Sequence, residues 1–166
     1  MKIYLVGMPG SGKSTIGKQL SQKLQTDFVD LDQEIEAKAG RTVDKIFSEM
    51  GEDHFRVIES QLLQEWAGRE KSFIMATGGG TPCFYNGMDT INQTGISIFI
   101  DEPVEVLVTR LKSKKDRPLL VAADIAALKE KLQSMHTARL KFYQMAHITV
   151  RSANLSKVME AIRLRT

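Results

Sequence analysis

The most informative stretch of the chain is Gly7-Met-Pro-Gly10-Ser-Gly12-Lys13-Ser14, which directly follows the apolar run Ile3-Tyr-Leu-Val6. It matches the phosphate-binding pattern G-x-x-x-x-G-K-[ST] at every fixed position. The glycines allow successive backbone N–H groups to turn inward around a β-phosphate, where a Cβ would collide or would forbid the dihedral angles. A helix-compatible segment, 15–24, follows the loop and would place its positive end under the phosphates. The pattern therefore predicts a nucleoside triphosphate site.

Length and composition indicate one ordinary globular domain. The chain has 166 residues, of which 42% are hydrophobic and 26% are charged, and a chain of this size can bury its own core. No apolar stretch approaches the roughly 20 residues of a membrane span, and the first apolar run is too short for a signal peptide. The single cysteine, Cys83, excludes an internal disulfide and has no partner at metal-ligand spacing. We therefore expect one domain, 1–166, that is cytoplasmic, has no membrane partner and is a monomer.

The charge pattern favours small anionic ligands over nucleic acid. The net charge is +3 at pH 7, but the basic residues are spread along the chain without interleaved aromatic residues. One cluster, Arg110-Leu-Lys112-Ser-Lys114-Lys115-Asp-Arg117, places five positive charges within eight residues. Such a run is often only a solvated face. In a phosphate-binding protein we expect this segment to act over the nucleotide.

The periodicity of the chain predicts an α/β fold with a five-stranded parallel sheet flanked by helices. Short apolar runs rich in β-formers alternate with helix-length segments, and strands that are apolar throughout are expected where helices cover both faces of a sheet. The predicted strands are 3–6, 28–31, 73–76, 96–100 and 147–150. The predicted helices are 13–25, 32–39, 43–49, 53–67, 103–113, 124–143 and 155–164. In the helix from 124, Asp124 is a predicted N-cap, and Ile125, Leu128 and Leu132 are predicted core residues.

Residues that follow the strands are the next candidates, because ligands of open parallel sheets bind at the carboxyl ends of the strands. Asp30 and Asp32 lie at the end of the second strand on one face of an extended segment, although Asp32 could instead be a helix N-cap. Gly78-Gly79-Gly80 follows the third strand and would expose bare backbone N–H donors to a ligand, although a plain turn is the alternative. Asp101, after the fourth strand, resembles a magnesium-binding aspartate, but the helix opening that follows it makes it the weaker candidate.

Together these features resemble the shikimate kinase family, among the nucleoside monophosphate kinase-like P-loop proteins. The resemblance extends over nearly the whole chain and depends on the order and spacing of several motifs. They are Gly-Met-Pro-Gly-Ser-Gly-Lys-Ser-Thr at 7–15, Asp30-Leu-Asp32, Phe55-Arg56-Val-Ile-Glu59, Gly78-Gly79-Gly80, Arg117-Pro-Leu-Leu120 and Arg139-Leu-Lys-Phe-Tyr143. The resemblance implies a P-loop kinase core that transfers the γ-phosphoryl group of ATP to the 3-hydroxyl of shikimate, in chorismate and aromatic amino-acid synthesis.

The resemblance also implies roles for individual residues. Shikimate would be bound by Asp32, Arg56, Gly78, Gly79, Gly80 and Arg139. This set suits a small polyol with one carboxylate, because an acid orients a hydroxyl and an arginine pairs a carboxylate bidentately. ATP would be bound by Gly10, Ser11, Gly12, Lys13, Ser14, Thr15, Arg110 and Arg117, and Mg²⁺ by Ser14 and Asp30. The catalytic residues would be Lys13, Asp32 and Arg117, with a substrate-binding flap at about 33–61 and a lid at about 112–123.

The sequence departs from the usual family pattern at two positions, and two rival functions stay open. Many members of the family carry a basic residue where Val57 stands and a proline where Lys141 stands, and these departures bear on the local geometry around Arg139. A different small-molecule kinase, such as a gluconate kinase, would share the loop and lid but would need fewer carboxylate-binding arginines. A nucleotide-dependent switch would need a base-recognition motif and a residue that orients water for hydrolysis, and the sequence offers no clear candidate for either.

Overall fold

The computed structural model describes residues 1–112 and 125–165 and contains a five-stranded parallel sheet. The strands lie in the order β2-β3-β1-β4-β5, and every neighbouring pair is parallel. Their bounds are Lys2–Val6 (β1), Asp27–Asp30 (β2), Phe73–Ala76 (β3), Ile96–Asp101 (β4) and Ile148–Arg151 (β5). The predicted α/β fold with a five-stranded parallel sheet is therefore confirmed.

Helices follow each strand within the described residues. Their bounds are Lys13–Leu24 (α1), Leu31–Ala39 (α2), Val43–Met50 (α3), Glu52–Ala67 (α4), Gly87–Thr94 (α5), Val104–Leu111 (α6), Ile125–Tyr143 (α7) and Leu155–Arg165 (α8), and Thr81–Cys83 forms one 3₁₀ turn. No helix among the described residues is long and apolar enough to cross a membrane.

The central strand β1 shows why the runs are apolar throughout. Ile3, Tyr4, Leu5 and Val6 are all completely buried. Successive side chains of a strand point to opposite faces, so Tyr4 and Val6 belong to one apolar cluster and Ile3 and Leu5 to the other. Helices cover both clusters, as expected for a parallel sheet.

The strand order places β1 at the centre of the sheet, so its carboxyl end lies in the middle of the side where ligands of parallel sheets bind. β1 pairs with β3 on one side and with β4 on the other, so the chain winds in opposite directions from it. Ligands of such sheets bind at this switch point. The phosphate-binding loop, residues 7–14, begins there.

Three local features differ from the sequence prediction. Leu31 begins α2 instead of ending β2, because the Asp30 carboxylate accepts a hydrogen bond from the Asp32 amide and starts the helix. Ile125 is 56% exposed, whereas Leu128 and Leu132 are buried as predicted; contact of α7 with the core begins only at Leu128. Helix α5 was not predicted, because its segment 87–94 contains several weak helix formers.

Part of the basic segment lies outside the residues that the structure describes. The predicted N-cap Asp124 and residues 113–123 of the predicted lid lie outside the described residues, as do the ends of two predicted helices, at 113 and 124.

Candidate active site

The phosphate-binding loop has the backbone geometry that its sequence predicts. Gly12 has φ +95°, a conformation that L side chains rarely adopt. A Cβ on Gly7 would lie 2.7 Å from the carbonyl oxygen of Ile100, so the loop packs against the end of β4 without room for a side chain. The loop then leads directly into the N-terminus of α1, which begins at Lys13. An anion bound in the loop would therefore face the positive end of a helix.

Polar side chains line the inside of this loop. The Lys13 ammonium group donates hydrogen bonds to the carbonyl oxygens of Gly7 and Met8, at 2.9 and 2.8 Å. Ser11 is 1% exposed, and among the described residues no atom hydrogen-bonds to its Oγ. An unsatisfied buried hydroxyl is costly, by about 1–3 kcal/mol. A phosphate oxygen in the loop would satisfy it.

Ser14, the last residue of the loop, and Asp30 place two oxygen-bearing side chains side by side. Ser14 Oγ donates to Asp30 Oδ2 at 2.8 Å, while Asp30 Oδ1 accepts the Asp32 amide at 3.2 Å. Asp30, and not Asp32, is therefore the N-cap of α2. The alternative cap role of Asp32 is thus wrong, and Asp32 lies in the first turn of the helix.

The three consecutive glycines meet three of the predicted substrate residues. A Cβ on Gly78 would lie 3.2 Å from Asp32 Oδ1, and one on Gly79 would lie 3.0 Å from Arg139 Nη1. A Cβ on Gly80 would lie 2.5 Å from both terminal nitrogens of Arg56. The structure therefore brings these side chains together over the bare backbone that follows β3, and a plain turn does not explain the absence of side chains there.

Arg56 is an almost fully buried cation. It is 4% exposed, and its Nη1 donates to Glu59 Oε1 at 2.8 Å. Its Nε and Nη2 donate to Glu52 Oε1 at 3.4 and 3.2 Å. The Phe84 ring centroid lies 4.4 Å from the guanidinium carbon, within the range of a cation–π contact. The guanidinium is thus held from several sides.

Two residues that sequence reasoning did not assign support this arrangement. Glu59 is 2% exposed and also accepts a hydrogen bond from Thr81 Oγ1 at 2.7 Å, so it ties Arg56 to the turn after the glycines. Tyr143 is completely buried and donates its hydroxyl to the Gly79 carbonyl oxygen at 2.6 Å. Glu59 stands three residues after Arg56, and Tyr143 stands four residues after Arg139. These are spacings at which side chains of a helix are neighbours, and they were the signal by which the sequence could have identified both residues.

Two weak acids near the arginines stay protonated. Burial raises the pKa of Cys83 to about 11, although the charges of Arg139 and Arg56 oppose the rise. Burial also raises the pKa of Tyr143, again against the charge of Arg139. Desolvation therefore outweighs the attraction to the cations, and neither group competes at neutral pH for the arginines as an anion.

Loop, aspartates and glycines share one cavity of about 560 Å³. Arg110, in the last turn of α6, lines it and donates to the Gly10 carbonyl oxygen at 3.1 Å. Ala153 and Asn154 line it as well, in a stretch where the sequence supported no assignment. Asp101 instead forms an ion pair with Arg151, at 3.4 Å. Arg117 lies outside the described residues.

Comparisons with known proteins match the chain to one family. The family model described as shikimate kinase matches residues 9–165. A shikimate kinase of Bacteroides fragilis is 37% identical over 148 residues, which are 89% of this chain and 82% of the relative. The crystal structure of shikimate kinase from Bacteroides thetaiotaomicron has a TM-score of 0.88 at 34% identity and covers 99% of this chain and 96% of its own.

A second solved structure is described with a bound ligand. Shikimate kinase from Acinetobacter baumannii in complex with shikimate is similar with a TM-score of 0.87 at 34% identity, covering 99% of this chain and 90% of its own. The family model and these relatives each match most of the chain, in agreement with the motifs and with the fold. The chain therefore belongs to the shikimate kinase family.

Proposed function

We propose that this chain transfers the γ-phosphoryl group of ATP to the 3-hydroxyl of shikimate, giving shikimate 3-phosphate and ADP in the pathway to chorismate and the aromatic amino acids. The observation that carries the proposal is the meeting of Asp32, Arg56 and Arg139 over the glycines 78–80. Asp32 and Gly78 line the same cavity as the phosphate-binding loop. Two arginines beside an aspartate suit a polyol that carries one carboxylate, because the arginines can bind the carboxylate and the aspartate can bind a hydroxyl.

Arg56 and Arg139 bind the substrate carboxylate in this proposal. A guanidinium presents a planar fork of N–H donors that pairs with a carboxylate bidentately, which the point charge of a lysine does not. The glycines contribute close backbone contact, with the Gly79 amide as a donor. Helices α2, α3 and the start of α4 form the substrate-binding flap, at about 33–61.

Asp32 aligns the attacking hydroxyl and accepts its proton. Phosphoryl transfer depends on positioning and charge stabilisation more than on covalent help from the protein. Lys13 contacts the β- and γ-phosphates, and Gly10, Ser11, Gly12 and Thr15 contribute the backbone around them. Arg110, at the rim of the loop, contacts the nucleotide as well.

The residues present suit Mg²⁺ as the cofactor. Ser14 and Asp30 offer a hydroxyl and a carboxylate side by side, and no group of three or more His, Cys, Asp or Glu that could hold a metal ion occurs within 1–112 and 125–165. Mg²⁺ is commonly bound through one or two protein oxygens together with substrate phosphates and water. When bound, it neutralises charge on the phosphates.

Arg117 is proposed as the second cation on the γ-phosphate, carried by a lid at about 112–123. A basic segment that closes over ATP both excludes water and neutralises developing charge. We further propose that residues 1–166 form one domain that acts in the cytoplasm as a monomer, without nucleic acid.

ADP formation measured with different acceptors tests the proposal. The purified chain should release ADP rapidly with ATP, Mg²⁺ and shikimate, and only slowly without shikimate. Replacing shikimate by gluconate should give no acceleration. An equal rate without any acceptor would indicate a switch-like hydrolase, and a gluconate-dependent rate would indicate the rival kinase.

The carboxylate clamp is tested separately by Arg56→Lys and Arg139→Lys. Either change should raise the KM for shikimate while leaving ATP affinity nearly unchanged, because a point charge loses the bidentate geometry. Equal losses for both substrates would show that these arginines serve the nucleotide.

A further inference from the structure

Arg56 is paired with two carboxylates of its own helix, and the two differ in environment. Glu59 is 2% exposed and is also held by the Thr81 hydroxyl at 2.7 Å. Glu52 is 51% exposed. One oxygen of Glu52 accepts from both Nε and Nη2 of Arg56, at 3.4 and 3.2 Å. Glu52 therefore occupies the Nε–Nη2 edge of the guanidinium through one oxygen, which is an edge that a ligand carboxylate could take with two.

The other approaches to this guanidinium are restricted. Phe84 lies 4.4 Å from its central carbon, and the backbone of Gly80 is so close that a Cβ there would be 2.6 Å from the same atom. Glu59 takes Nη1. The Nε–Nη2 edge is held by Glu52, whose side chain is half exposed to solvent. An incoming anion can therefore reach this edge by replacing Glu52.

Charge balance leads to the same point. Arg56 and Arg139 contribute two positive charges, and Asp32, Glu52 and Glu59 already contribute three negative ones around the glycines. A substrate carboxylate would add a fourth anion, and like charges in a partly buried site repel strongly. Glu59 cannot leave without breaking an ion pair in which both partners are buried, whereas Glu52 is half exposed and returns to water when its pair with Arg56 separates. Glu52 is the anion that yields.

We infer that Glu52 occupies the carboxylate-binding edge of Arg56 in the free protein and is displaced by the substrate carboxylate. The inference rests on the proposed function. It makes Glu52 a specificity-determining residue. A substrate carboxylate replaces the Glu52 carboxylate as the partner of Arg56, whereas a neutral polyol offers no such replacement. Anionic substrate binds at the cost of separating this internal pair.

Glu52→Gln tests the displacement, because the amide keeps the size of the side chain and removes the competing charge. The Kd and KM for shikimate should fall roughly two- to fivefold, the size of an ion pair with one exposed partner, and the KM for ATP should not change. Asp53→Asn is the matched control, since it removes the same charge from an exposed position in the same first turn of α4. It should leave both constants unchanged.

A neutral ligand separates displacement from general effects on the site. The methyl ester of shikimate, used as a competitive inhibitor, should bind equally to the wild type and to Glu52→Gln. The displacement would be overturned if the Kd for shikimate rose or stayed constant in Glu52→Gln, or if it fell equally in Asp53→Asn. In either case, normal turnover of shikimate by the wild type would leave the proposed function standing. Tighter binding of the ester by the same factor would overturn the displacement as well. Absence of shikimate turnover in the wild type would overturn both.

Discussion

Gly80→Ala is the substitution whose effect follows most directly from the geometry of the site. Gly80 has φ −90° and ψ −12°, which any residue adopts, so an added methyl group introduces no backbone strain. Its Cβ would lie 2.5 Å from Nη1 and Nη2 of Arg56 and 2.6 Å from the carbon between them. The substitution therefore acts on one side chain, the guanidinium of Arg56.

The size of the effect follows from these contacts. Ordinary contact begins at 3.4 Å, and the difference from 2.5 Å requires a displacement of about 0.9 Å. Arg56 is held by the buried Glu59 and covered by Phe84, so the shift is shared by the guanidinium and the glycine segment. A misplacement of about 1 Å in a substrate-positioning group costs on the order of 10²-fold in rate. We expect kcat/KM for shikimate to fall about 100-fold, which corresponds to about 2.7 kcal/mol.

Steady-state kinetics of ADP formation measure this loss, with thermal unfolding as a check on the fold. The matched control is Gly68→Ala, since Gly68 has nearly the same backbone angles, φ −76° and ψ −13°, and its nearest neighbour atom would be 3.5 Å from the new Cβ. The control should retain wild-type kinetics. A folded Gly80→Ala protein whose kcat/KM for shikimate stays within twofold of the wild type would refute the placement of Arg56 in the substrate site.

Three further predictions concern the loop, the lid and pH. Lys13→Ala should abolish phosphoryl transfer without changing the fold seen by circular dichroism, because the phosphates need its charge; retained turnover would contradict the nucleotide site. Arg117→Ala should lower kcat by on the order of 10³ with smaller changes in KM, while Lys114→Ala has a mild effect; small, comparable losses in both would reduce the segment to a solvated loop. Burial, and then the charge of Arg165, lower the pKa of His147 below 6.5, so its stabilising contribution is complete above pH 6.5 and is lost as the pH falls through the lowered value. Urea unfolding at a series of pH values should show a smaller pH slope below 6.5 for His147→Gln than for the wild type; identical slopes would contradict this.

The sheet and the phosphate-binding loop were predictable because their signals are local. A strand buried on both faces is an uninterrupted apolar run, as in residues 3–6, and a loop that wraps a phosphate needs glycines at fixed spacing. The order of the strands was not predicted, because each run carries the same apolar signal and pairing depends on the whole sheet. Helix α5 was missed because only Met88 and Ile91, both buried, mark its inner face.

The candidate site was predictable as a set of residues but not as a network. Asp32, Arg56 and Arg139 were identified from motifs, and the structure brings them together over the glycines. The hydrogen bond from Thr81 to Glu59 joins residues 22 positions apart, and that from Tyr143 to Gly79 joins residues 64 positions apart. Contacts of this kind depend on tertiary packing, and no local pattern encodes them.

Identification of the product tests directly whether the chain phosphorylates the 3-hydroxyl of shikimate. The chain is incubated with ATP, Mg²⁺ and shikimate, and the product is analysed by mass spectrometry and by proton–phosphorus correlation NMR. We expect a monophosphate of shikimate whose phosphorus couples to the proton on carbon 3. A phosphate on another hydroxyl, or free inorganic phosphate with unmodified shikimate, would contradict the proposed reaction at this site.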